Sequence, residues 1–135
     1  MKILVLLLSV TIATAQNRDV FEHVPARELD RKNPVEGDEK ARRVGEKLYL
    51  SNCASCHGSL GKGSRTAPPL DRNDVQQASA GALFWLLRNG SLRHGMPSFA
   101  HLPEVRRWQI VTYLQSLGSK RVATTTPGSN YVLVR

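Results

Sequence analysis

The sequence predicts an all-α domain of three main helices joined by long loops. Three observations carry that prediction: segments whose apolar residues recur three and four apart, capping or stopping residues at their ends, and Gly/Ser/Pro-rich stretches between them. Only 131–134, Tyr-Val-Leu-Val, reads as a strand. A chain of 135 residues holds one small domain.

Residues 1–15 open the chain with Lys2, an apolar run from Ile3 to Val10, and Ala13 and Ala15 spaced as for a signal peptidase. They are expected to be a cleaved leader, placing the mature protein in the periplasm or otherwise outside the cytoplasm. The alternative is a retained anchor, but a spanning helix needs about 20 apolar residues. No transmembrane segment is therefore expected in the mature chain. Residues 16–37, with Pro25, Pro34 and Gly37 and no apolar period, read as an extended lead-in.

Asp38 can cap a helix whose positions Ala41, Val44, Gly45, Leu48 and Tyr49 share one face and which runs into Cys53. A loop is expected from about Gly58 to Asn73. A second helix is expected around Ala78 to Arg88, stopped by Asn89-Gly90. After another loop, the last helix opens with Pro103 in its first turn. It repeats Val105, Trp108, Ile110, Val111, Leu114 and Leu117 and is expected to end at Gly118. The domain is thus 38–118, followed by a Thr/Pro/Gly-containing tail over 119–135.

Loss of the leader removes Lys2 and no acid, which leaves a net charge of +7, concentrated within the helical region. Such a field attracts nucleic acid, acidic proteins or anionic lipid. Export argues against the first. Three modest helices with few aromatics bury little apolar surface, and the two cysteines, three apart, cannot staple the fold. A large apolar cofactor is the better filling.

Cys53, Cys56 and His57 form Cys-x-x-Cys-His, the spacing that lets two thiols one turn apart form thioethers with the haem vinyl groups while the next imidazole binds iron. Two other chemistries use similar residues. A zinc site would need further ligands from outside the motif, and a redox dithiol normally follows a strand rather than a helix. For the sixth iron position Met96, in the loop Gly95-Met96-Pro97, is the expected ligand. His94 and His101 are its rivals, and a vacant position of the peroxidase kind is the third alternative.

On these residues the stretch 38–118 resembles the class I, single-haem c-type cytochromes. Gly45 and Tyr49 stand eight and four residues before Cys53, as in that family, and Ile110 and Tyr113 match the residues its last helix brings against the glycine. The resemblance implies a small cytochrome c fold, three helices and long loops wrapped around one haem. It also implies that Pro68, within Pro68-Pro69-Leu70, accepts a hydrogen bond from His57 through its carbonyl; Pro69 is the alternative. A narrower similarity runs from Leu83-Phe84-Trp85 through Asn89-Gly90, Met96-Pro97-Ser98-Phe99 and Leu102-Pro103 to Arg107-Trp108. It is to small periplasmic cytochromes associated with quinoprotein or flavin dehydrogenases or with haem–copper oxidases, and Ser91–His94 is extra relative to them.

The expectation that follows is an electron-transfer protein, not an enzyme, carrying one electron on a covalent haem c with His57 and Met96 as axial ligands. Leu70, Leu83, Trp85, Leu86, Phe99 and Leu102 are expected around the ring. The expected partners are a periplasmic dehydrogenase as donor and an oxidase or other cytochrome as acceptor, drawn in by Lys62, Arg65, Arg88 and Arg93. A subunit of a larger complex, a haem peroxidase and a sensor are the other readings.

Overall fold

The computed structural model describes residues 20–124, with side chains as far as residue 118. The leader and the apolar finish at 131–134 lie outside the described residues. Within them the chain forms α1 (Ala26–Leu29), α2 (Glu39–Asn52), α3 (Ala54–His57), α4 (Asn73–Gln77), α5 (Ala80–Asn89) and α6 (Glu104–Thr124). A 3-10 turn spans Leu92–His94. The all-α expectation holds, with no strand among the described residues.

Helix α2 starts where the cap predicts. The Asp38 carboxylate accepts from the Lys40 and Ala41 amides at 2.7 and 3.1 Å, a cap that contributes about 1 kcal/mol. Its inner face buries Ala41, Gly45 and Tyr49. Its outer face carries Arg42 between Glu39 and Glu46. This inner face crosses α6 at Gly45, where a Cβ would overlap the Gln109 carbonyl oxygen and lie 3.1 Å from the Tyr113 Cβ. The missing side chain sets how closely the two backbones approach. Beside the crossing, the Tyr49 and Tyr113 rings lie 5.2 Å apart, and Ile110 is fully buried.

Helix α6 departs from expectation in two ways. Val105 is half exposed, while Arg107 lies buried with its guanidinium 4.9 Å from the Phe84 ring centroid. The Arg107 Nε has no hydrogen-bond acceptor, and the aromatic face offsets part of that loss. Gly118 does not end the helix, which continues to Thr124. Glycine costs a helix about 1 kcal/mol but does not stop it where tertiary contacts hold the turn.

Helix α5 begins two residues later than predicted, at Ala80, because Ser79 caps it through a 3.1 Å bond from the Ala82 amide. Phe84 stacks on Trp108 at 4.0 Å and joins α5 to α6. The lead-in is not simply extended. It contains α1, which lies against α5, and Arg31 approaches the Phe84 and Trp108 rings at 4.5 and 5.2 Å. Buried Asn33 donates to the Thr112 hydroxyl at 2.9 Å, so this segment is fastened to α6 as well.

Candidate haem site

Cys53 closes α2 and opens α3. Its carbonyl accepts from the Cys56 amide at 3.1 Å and the His57 amide at 2.9 Å, so one tight turn carries all three side chains of the motif. Both thiols are free. Cys53 is 8 % exposed and belongs to the central apolar cluster, whereas Cys56 is exposed. Burial, with the neighbouring Cys56 thiol adding to it, pushes the Cys53 thiol up to about 11. A redox dithiol works the other way, with an accessible first cysteine of depressed pKa. The zinc alternative also lacks support: among the described residues no three His, Cys, Asp or Glu side chains converge on a metal site.

The loop after α3 folds back on the motif. Tyr49, inside the α2–α6 crossing, donates its hydroxyl to the Gly58 carbonyl at 2.6 Å, and Ser64 donates to the Cys56 carbonyl at 2.5 Å. Gly63 has φ of +80°, and a Cβ there would meet the Pro69 nitrogen at 2.6 Å. A side chain at 63 would therefore push Pro68 and Pro69 away. In the observed loop His57 Nδ1 lies 2.9 Å from the Pro68 carbonyl oxygen. A carbonyl only accepts, so Nδ1 carries the proton and Nε2 is left with its lone pair. This is the tautomer an iron-binding imidazole needs.

The distal loop is built on the end of α5. Three successive carbonyls there are taken: Leu86 by the Gly90 amide at 2.7 Å, Leu87 by the Phe99 amide at 2.8 Å, and Arg88 by the Ser98 hydroxyl at 2.6 Å. Ser91 and Met96 pair through two backbone bonds of 2.8 and 3.1 Å. Between them Leu92–His94 close into the 3-10 turn, and Gly95 in the left-handed region joins it to Met96. The turn is thus closed at its base by the Ser91–Met96 pairing. The path of Met96-Pro97 stays short.

Met96, Leu70, Phe99 and Leu102 are half-buried and packed against the central cluster, of which Leu83 is a fully buried member. Trp85 and Leu86 are half-buried on α5, and Pro68 is exposed. His94 is exposed and its Nδ1 is engaged with the Ser91 hydroxyl at 2.7 Å. His101 is exposed beside the Phe99 ring. The donor set fits a haem: two free thiols three residues apart, an imidazole in the ligating tautomer, a half-buried thioether, and apolar side chains that nothing among the described residues fully covers. Sequence reading missed Ser64 and the Ser91–Met96 pairing, for which no motif exists. Lys62, one of the expected steering charges, stays largely exposed while forming a 2.6 Å ion pair with Asp71.

A protein-family model described as cytochrome c oxidase, cbb3-type, subunit III matches residues 40–114. Over 37 residues the chain is 46% identical to the cbb3-type cytochrome c oxidase subunit CcoP of Rubrivivax gelatinosus. That match covers 27% of this chain and 12% of CcoP, so it spans only a small part of the relative's length. In three dimensions the chain is similar to cytochrome cL of the marine methylotroph Methylophaga aminisulfidivorans, with a TM-score of 0.55 and 22% identity over 70% of this chain and 74% of that one. At that identity the likeness is one of fold.

Proposed function

Because this chain belongs to the cytochrome c oxidase, cbb3-type, subunit III family, we propose that it is an exported electron carrier whose covalent haem c is bound through Cys53 and Cys56 and ligated by His57 and Met96. Membership in a cytochrome c family makes the chain an electron-transfer protein rather than an enzyme, with haem c as its cofactor. When bound, the haem supplies one-electron cycling between ferrous and ferric iron. The chain's own residues decide how that capacity is used. His57, held by Pro68, would offer Nε2 to the iron. Met96, whose backbone is held by Ser91, would offer a thioether, which favours the ferrous state relative to a second imidazole. Leu70, Leu83, Trp85, Leu86, Phe99 and Leu102 would keep water from a bound ring and so raise the potential further.

The bond between His57 Nδ1 and the Pro68 carbonyl is the observation that carries this reading. Its test is the intact mass of the purified protein. The expected result is a mature chain heavier by one haem, with the increment lost in the Cys53→Ser, Cys56→Ser double variant. A chain that keeps two titratable thiols contradicts the proposal.

For export, the support is the leader signature with Lys2, the apolar run and Ala13 and Ala15. Among the described residues no helix is long and apolar enough to cross a membrane. Arg65, Arg88 and Arg93 are exposed, and Arg93 stands beside Leu92, which is 82% exposed, on the inserted turn. We place the docking face for an acidic redox partner there, a periplasmic dehydrogenase on the donor side and an oxidase or other cytochrome on the acceptor side. Raising ionic strength from about 10 to 200 mM shortens the screening length from about 30 Å to under 10 Å. Reduction by the donor is then expected to slow several-fold in stopped-flow kinetics. The oxidase-subunit family also favours a second reading, a carrier held permanently in a complex. In that case the electron-transfer rate does not respond to salt.

A further inference from the structure

Helix α4 follows the loop that carries Pro68, and one α4 side chain makes three hydrogen bonds. Gln76 Nε2 donates to the Leu70 carbonyl at 2.7 Å and to the Leu114 carbonyl at 3.1 Å, and Oε1 accepts from the Gly118 amide at 3.1 Å. Leu114 and Gly118 are four residues apart, the two ends of one helical rung. The amide offers each end the complementary group. Room for it exists because residue 118 is glycine: a Cβ there would overlap Gln76 Oε1 and come within 2.9 Å of its Cδ. This contact explains what the glycine does inside α6.

The third bond reaches the proximal side of the haem site. Leu70 is held on both sides, its carbonyl by Gln76 and its amide by the Gly61 carbonyl at 2.8 Å. Two residues earlier stands Pro68, whose carbonyl faces His57 Nδ1. Between them the backbone has little slack, because Pro69 fixes its own φ and Gly63 lies directly against it. A displacement of Leu70 therefore moves the Pro68 carbonyl.

We propose that Gln76, seated against Gly118, is a positioning residue for the proximal histidine: it fastens the Pro68–Leu70 segment to α6 and so sets the His57–Pro68 hydrogen bond. The proposal rests on the reading of His57 as iron ligand. A firm acceptor at Nδ1 makes the imidazole more electron-donating and favours ferric iron; a loosened one raises the reduction potential. It also exposes the Nδ1 proton to solvent exchange.

Two variants of the holoprotein test this. Gln76→Met keeps the length and loses the amide, and Gly118→Ala displaces the amide while leaving Gln76 in place. Exchange of the His57 Nδ1 proton is read by NMR in the diamagnetic ferrous protein, together with the reduction potential. Both variants are expected to exchange about tenfold faster, the factor supplied by one hydrogen bond of ordinary net strength, and to titrate at higher potential than the unsubstituted protein. A purely structural Gln76 lowers the unfolding midpoint and moves neither readout, which overturns the proposal. The ligand assignment is checked separately in the unsubstituted protein, where ring-current-shifted His57 resonances are expected. Their absence sinks that assignment. Their presence with unchanged exchange in both variants sinks the clamp alone.

Discussion

Met96→Ala is expected to lower the reduction potential steeply, to abolish the weak far-red band of sulfur-ligated ferric haem, and to let cyanide bind. On the proposed reading the Met96 thioether would hold the potential up, and its loss should cost on the order of a tenth to a quarter of a volt within the roughly 0.8 V range that axial ligands command. The fold should survive. Met96 is only half-buried, and the neck that carries it is closed by backbone bonds to Ser91 and by the α5 carbonyls, none of which needs the thioether. A loss of about 1–2 kcal/mol is expected from the packing alone. Met96→His should also lose the band and titrate at lower potential than the unsubstituted protein. A Met96→His protein that keeps the band shows that another side chain is the ligand. His94 and His101 are the residues to examine in that event, although their exposure and the Ser91 bond to His94 speak against both.

Gly45→Ala should have the largest effect on stability, with a sign opposite to intrinsic propensity. In a helix interior alanine is favoured over glycine by about 1 kcal/mol. Here the added carbon falls on the Gln109 carbonyl oxygen at the α2–α6 crossing, so one helix must move away from the other. That movement opens the packing around Tyr49, Tyr113 and Ile110, among the most buried side chains described. The expected loss is about 3 kcal/mol, or roughly 12–24 °C in Tm for a domain of this size, read from thermal unfolding of the ferric protein. Gly37→Ala is the control. It has φ of +76° but no neighbouring atom within 4 Å, so only the backbone cost of about 1–2 kcal/mol applies. Equal effects at the two positions would mean that the close crossing is not what Gly45 provides.

What the sequence disclosed follows from how far each signal reaches along the chain. The cap at Asp38, the period through Tyr49 and the motif at Cys53–His57 are local, and α2 and α3 form where they indicate. The apolar period of α6 is also local, and its buried residues are largely those expected. The end of α6 is not. Gly118 read as a stop because nothing nearby shows that Gln76, forty-two residues earlier, fills the space beside it. Helix α4 escaped notice because five residues with one buried side chain, Val75, are too short to show a period. The course of the turn Leu92–His94 depends on the pairing of Ser91 with Met96 across its base, which no local signal discloses.

The site shows the same division. The Pro68 carbonyl was placed against His57 through resemblance, and the loop geometry brings the two within hydrogen-bond distance. The Lys62–Asp71 ion pair joins residues nine apart that only the return of the loop brings together. The half-buried set of Leu70, Met96, Phe99 and Leu102 gathers residues from both loops on one central cluster.

Optical redox titration of the unsubstituted protein, with and without cyanide, tests most directly the claim that this chain is an electron carrier with both iron positions filled by its own side chains. A single one-electron wave with the same midpoint in both conditions is predicted, and a weak far-red band in the oxidised form. A midpoint that shifts with cyanide, together with absence of the band, would show an open iron position and contradict the account.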